Sequence, residues 1–184
     1  MSKFKFLLLL LVPIIVTGCL STLHPLYSEP TKFFDPGLIG YWTQGEDNDT
    51  LIFNETGKKR YQFIYSDKGK HAEFEVYLAK LGETYFIDML PVASSKENDL
   101  WSMLMVPTHM FGVYKRIGDS LELNMLNDDW LEKKLKDKSI ALPFEETDNN
   151  IVLTAATEQL QKFAETYAAD TAVFKPDKPF YKIR

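Results

Sequence analysis

The sequence predicts a mainly β domain with two helices near its C-terminus, built on an antiparallel sheet of roughly seven to nine strands that closes into a barrel or folds as a sandwich. Three observations predict it. From Leu38 to Leu126 apolar residues recur with a period of two, the spacing of strands with one buried face. Turn-forming clusters separate these runs at short intervals. After Leu126 the apolar spacing changes to the helical one, twice.

The first eighteen residues stand apart from that domain. A basic start (Lys3, Lys5) leads into an apolar run from Phe6 to Val16 and a small-residue exit at Thr17 and Gly18, the layout of a secretory signal peptide. A membrane-spanning helix needs about 20 apolar residues; this run has eleven, with Pro13 inside it. The exit reads Val16-Thr17-Gly18-Cys19, which resembles the lipobox of bacterial lipoproteins. The resemblance implies cleavage between Gly18 and Cys19, lipidation of the Cys19 thiol with at least two acyl chains, and a membrane partner held through that lipid. Two chains give stable anchoring where one gives a marginal hold. Cys19 is the only cysteine, so no disulfide staples the domain, and an exported chain would otherwise carry an unpaired thiol in an oxidising compartment. Leu20 stands where many inner-membrane lipoproteins carry aspartate. The expected location is the cell envelope, with the outer membrane facing the periplasm favoured in a two-membrane bacterium.

Residues 19–37 are expected to form the lipidated tether. Pro25, Pro30 and Pro36 disfavour helix, and the stretch could extend to roughly 60 Å. Leu23, Leu26, Tyr27, Phe33 and Phe34 are too apolar for a free linker, so part of it should pack on the domain. Leu23-His24-Pro25-Leu26-Tyr27 resembles the stretch found after the lipidated cysteine in a group of uncharacterised bacterial lipoproteins, a likeness that implies no activity.

Residues 38–184 read as one β-rich domain. Cleavage after Gly18 would leave 19 basic against 26 acidic residues, a formal charge of −7. That balance argues against nucleic acid and anionic headgroups as partners. Tyr61, Phe63 and Tyr65 share one face, as do Ala72, Phe74, Val76 and Leu78, then Tyr85, Ile87 and Met89, then Trp101, Met103 and Met105, and finally Leu121, Leu123 and Met125. Turns are expected at Glu55-Thr56-Gly57, Asp67-Lys68-Gly69, Leu81-Gly82-Glu83 and Ile117-Gly118-Asp119. A first helix is expected near 127–138, with N-caps on offer from Asn127 to Asp129 and Glu132 placed as in a capping box with Asp129. After a short strand at Ile151-Val152-Leu153, a second is expected near 155–169, its stripe of Leu160, Phe163, Ala164, Tyr167 and Ala168 lying on the outside of the sheet.

The segment from Phe34 to Trp42 resembles the opening of lipocalins and related calycin barrels, where a Gly-x-Trp motif, here Gly40-Tyr41-Trp42, begins the first strand. The resemblance implies a calycin-like barrel with Trp42 plugging its closed end and a late-strand arginine, here Arg116, across the indole. The alternative is a generic antiparallel sheet with Trp42 as ordinary core.

Motifs for chemistry are sparse. His24, His71 and His109 lie in separate segments without ligand spacing. Asp47-Asn48-Asp49 begins like a calcium loop, but Ile52 and Lys58 occupy the glycine and glutamate positions. No nucleophile elbow, phosphate loop or dinucleotide fingerprint is present, so no catalytic residue, metal or cofactor is assigned. Around Pro107 lie Trp101, Met103, Met105, Met110 and Phe111, and methionine-rich aromatic surfaces adapt to varied apolar ligands. Trp42, Trp101, Met103, Met105 and Phe111 are the candidate lining of a ligand cavity; the same residues also suit a plain core. The expected function is a non-enzymatic envelope module that binds an apolar ligand or an envelope partner. The alternative is an envelope hydrolase whose Ser–His–acid triad assembles from distant strands.

Overall fold

The computed structural model describes residues 19–45, 50–92, 106–147 and 150–183. Its centre is a closed antiparallel barrel of eight strands. Seven follow one another as a meander: β3 (Gly40–Thr43), β4 (Thr50–Gly57), β5 (Arg60–Asp67), β6 (Lys70–Leu81), β7 (Thr84–Pro91), β8 (Met110–Ile117) and β9 (Ser120–Met125). The eighth, β12 (Phe180–Lys182), pairs antiparallel with both β3 and β9, and β6 pairs with both β5 and β7, so no edge is left in the ring. The mainly β class expected from the alternation is present, and the closed barrel fits the calycin-like form that the resemblance at Gly40-Tyr41-Trp42 implies. Among the described residues no helix is long and apolar enough to cross a membrane.

Alternation explains the two cores. Odd positions of β5 and even positions of β6 point inward, and Tyr61, Phe63, Val76 and Leu78 join Trp42, Phe53, Ile87, Tyr114 and Leu121 in the barrel interior. Aromatic rings fill it: Phe53 stacks on Phe63 at 4.7 Å and Phe63 on Phe74 at 5.5 Å between centroids. The opposite faces of β7 and β8 send Phe86 and Phe111 outward into a second core. That core is covered by helices α1 (Asp128–Lys136) and α2 (Thr157–Tyr167) and by a small sheet of β1 (Cys19–Thr22), β11 (Asn150–Leu153) and β10 (Phe144–Glu146). Leu131 and Leu135 of α1 meet Leu160, Phe163 and Ala164 of α2 there, and Trp130 packs edge-on to Tyr167 at 5.4 Å. Both helices therefore intervene between the seventh and eighth strands of the barrel.

Several expectations shift in detail. The reversal after β4 lies at Lys58 and Lys59, not at Glu55-Thr56-Gly57; β4 runs through Gly57 with a register shift, and Lys59 takes the left-handed conformation with φ 56°. The N-cap of α1 is Asn127, whose side chain accepts the Trp130 N–H. Glu132 pairs with Lys136 rather than closing a capping box.

Residues 19–37 pack on the domain, as their apolar side chains led us to expect for part of them, and the contact begins at Cys19. β1 pairs in parallel with β11 from Cys19↔Asn150 to Thr22↔Leu153. Leu26 is fully buried. Strand β2 (Lys32–Phe33) adds to β6 beyond the point where β5 begins, taking the backbone positions that β5 leaves unpaired. The segment thus runs along the outside of the barrel from one end to the other.

Candidate functional site

The two ends of the barrel differ in what fills them. At the end where β3 begins, the segment from Phe33 to Leu38 forms a plug. Asp35 caps a single 3-10 turn, Pro36–Leu38, by accepting the Gly37 N–H at 2.8 Å. Its carboxylate also takes a bidentate pair from Arg116 (Nε 2.7 Å, Nη2 2.9 Å) and the Tyr114 hydroxyl at 2.6 Å. The Asp35 backbone exchanges hydrogen bonds with the Tyr61 hydroxyl. Burial pushes the Asp35 carboxyl up, but the Arg116, Tyr114 and Gly37 donors outweigh it and hold the group below the usual carboxylate value. Burial raises the Tyr114 phenol, and the bond to Asp35 raises it further.

Trp42 lies behind this plug, 0% exposed, and donates its indole N–H to the Leu38 carbonyl at 2.8 Å. The cation over its ring is not Arg116. It is Lys182, opposite Trp42 in the β3–β12 register, with Nζ 5.3 Å from the ring centroid and 2.9 Å from the Gly37 carbonyl. Arg116 is drawn away by Asp35, and its guanidinium lies so close to Gly37 that a Cβ there would sit 2.3 Å from Nη2. Only glycine admits that approach without displacing the guanidinium. Trp42 therefore belongs to the packed core of the closed end.

The other end, the rim, holds a cleft of about 220 Å³. Met89 at the end of β7, Met110 at the start of β8 and Met125 at the end of β9 form its barrel side; Met89 and Met110 are direct cross-strand partners. Phe111 and Leu126 continue the apolar wall, and β1 crosses over it with Leu20, Ser21 and Thr22. Of the residues proposed to line a cavity, Phe111 is in this cleft and Trp42 is not. Trp101, Met103 and Met105 lie outside the described residues, as does Gly18; of Cys19 only the backbone is described.

One buried polar pair stands at the cleft. His109 directs Nδ1 at the Asp88 carboxylate at 2.7 Å, and the other Asp88 oxygen accepts the Leu26 N–H at 2.7 Å. The contact fixes the orientation of the imidazole ring. The His109 backbone exchanges two hydrogen bonds with Thr22, at 2.8 and 2.9 Å. Nothing in the sequence linked these residues: Asp88 interrupts an apolar strand, and an acid at an outward position of a hydrophobic run was the available signal. The Leu20 N–H is directed at the Asp128 carboxylate, whose pKa burial raises against that bond.

The chemistry on offer is apolar shape with one fixed imidazole. The Thr22 hydroxyl is committed to the His24 carbonyl at 2.7 Å. Among the described residues, no hydrogen bond joins a serine hydroxyl to His109, and no group of three or more His, Cys, Asp or Glu could hold a metal ion. His71 is exposed on β6 and His24 is exposed after β1, so the three histidines do not converge. Compared with protein-family models, with curated proteins and with solved structures, the chain finds no match.

Proposed function

We propose that the protein is a lipid-anchored envelope lipoprotein, acylated on Cys19 after cleavage at Gly18, whose barrel binds an apolar or amphipathic small ligand at the rim cleft without enzymatic turnover. The observation that carries the binding half is the cleft itself, walled by Met89, Met110, Met125 and Phe111. Thioether side chains are polarizable and unbranched, and they fit apolar ligands of varied shape. The lipobox-like Val16-Thr17-Gly18-Cys19 carries the anchor, and Leu20 favours the outer membrane, facing the periplasm.

Two measurements test the reading. Intact-mass analysis and membrane fractionation of the expressed protein should show a lipid-bearing chain that starts at Cys19, and Cys19→Ala should lose both lipid and processing. Native mass spectrometry of the lipoprotein released from detergent, with lauric acid added, should show a single adduct that Met110→Lys abolishes. Absence of the adduct removes the ligand-binding claim.

A second reading, an envelope hydrolase, draws on the buried Asp88–His109 pair and on Ser21 in the same cleft. A triad needs its nucleophile within hydrogen-bond reach of the base. Covalent labelling by a fluorophosphonate that Ser21→Ala removes would favour this reading over binding.

A further inference from the structure

We infer that the barrel is seated directly on its membrane, rim toward the lipid, with no free chain between the lipidated residue and the folded domain. The inference rests on the lipid-anchor reading above and adds the orientation of the domain. Its basis is the course of the segment that follows Cys19. β1 starts at Cys19 itself, with its backbone paired to Asn150. Leu20 is buried, with its N–H facing Asp128 just beyond β9. Thr22 is bound in both directions to His109 just before β8. Leu26 is held by Asp88 of β7. The segment therefore crosses the barrel rim over the ends of β9, β8 and β7 in turn, and it is hydrogen-bonded at each.

Cα atoms of adjacent residues are about 3.8 Å apart, so an acyl group on Cys19 enters the bilayer within a few ångströms of the rim. A tether of the length suggested by residues 19–37 would have let the domain stand off by tens of ångströms. As built, the domain cannot leave the surface unless β1 is stripped from β11. Exposed apolar side chains flank the segments that form this end: Leu23 follows β1, Val106, 65% exposed, lies three residues before His109, and Met110 opens β8. The rim also carries Asp128 and Asp129, which gain nothing from anionic headgroups. Lipid and apolar contact hold the seat, so it should be insensitive to salt.

The experiment uses the full lipidated protein reconstituted in vesicles of phosphatidylethanolamine and phosphatidylglycerol. Cys19 is the only cysteine and is occupied by lipid, so Val106→Cys at the rim and Ile117→Cys at the closed end each offer one labelling site. Both residues are largely exposed, and Met110→Cys serves as a second rim site. With a bimane label and lipids spin-labelled in the headgroup, quenching should be at least threefold stronger at either rim site than at position 117. It should be unchanged by added salt. Inserting about twenty Gly/Ser residues after Cys19, a coil of about 25 Å, should erase the difference. Equal quenching at the two ends of a protein that carries lipid and floats with the vesicles overturns the seat alone. A chain recovered without lipid that does not float overturns the anchor reading and the seat with it.

Discussion

The closed end and the rim of this barrel are both crossed by the same N-terminal segment, with the roles of the partners exchanged. At the closed end the segment supplies the carboxylate, Asp35, and the barrel supplies Arg116, Tyr114 and Tyr61 to meet it. At the rim the barrel supplies the carboxylate, Asp88, and the segment meets it with a backbone N–H. The first arrangement neutralises charge with a guanidinium and leaves a filled interior behind it. The second fixes one strand over a cleft that stays open. An end built around a charged side-chain hub becomes a plug; an end held by backbone donors can cover a site without filling it.

The comparison is broken most forcefully at Trp42. If the closed end is the packed foundation, Trp42→Ala should destabilise the domain by about 3–5 kcal/mol, as truncation of large buried aromatics does, read as a drop in the urea midpoint. At the rim, Asp88→Ala leaves the His109 ring and the Leu26 N–H unpaired in buried positions. Its cost should be about 3 kcal/mol, and hydrogen exchange should show residues 20–27 losing protection while the barrel strands keep theirs. Asp88→Asn, which retains one acceptor, should lose less.

Lys182→Ala sharpens the picture of the plug. It removes the cation over Trp42 and the bond to the Gly37 carbonyl, for a loss of about 1–2 kcal/mol. Combined with Trp42→Ala it should fall short of the sum, because the two side chains touch. Arg116→Ala, whose partners are Asp35 and Gly118, should couple to Trp42 less strongly than Lys182 does. Equal coupling from Arg116 would return it to the indole face.

The smallest effects concern pH and have opposite signs at the two ends. The Asp35 carboxyl is held below its ordinary value, so its stabilisation is full above about pH 4, the unfolded value, and is lost as pH falls through the folded value. Asp35→Asn should remove that acid-side loss. The Asp128 carboxyl is raised by burial, so the folded state takes up its proton first and stability grows as pH falls toward about 4. Asp128→Asn should flatten that gain. Urea midpoints measured from pH 7 to pH 3 separate the two.

Much of the barrel was legible because long strands with one buried face leave a period-two record, as in Tyr61-Gln62-Phe63 or Phe74-Glu75-Val76. The helices were legible from Leu160, Phe163 and Ala164 at helical spacing. β12 is not, since three residues, Phe180-Tyr181-Lys182, cannot establish a period, so nothing local marks Lys182 as the cation over Trp42. The turn after β4 is hard to place because Gly57 is the more obvious turn residue, whereas Lys59 takes the left-handed conformation. Of the group around Pro107, Met110 and Phe111 line the rim cleft, while Trp101, Met103 and Met105 lie outside the described residues. The Asp88–His109 pair and β1 did not show, because both depend on contacts between residues about 20 to 130 positions apart, and local patterns carry no trace of such pairings.

β12 also bears on the order of events in folding. Every other junction of the ring joins strands that are neighbours in sequence, so hairpins can form quickly from β3 through β9. β12 must return from Phe180 to lie beside Thr43 and Leu121, a closure over a long stretch of chain that is expected to be slow. Until then β3 and β9 present unpaired backbone edges, the kind of template on which separate chains add to one another. A slow closure phase in refolding, with self-association before it ends, is the expected consequence of placing the last strand of the ring so far along the chain.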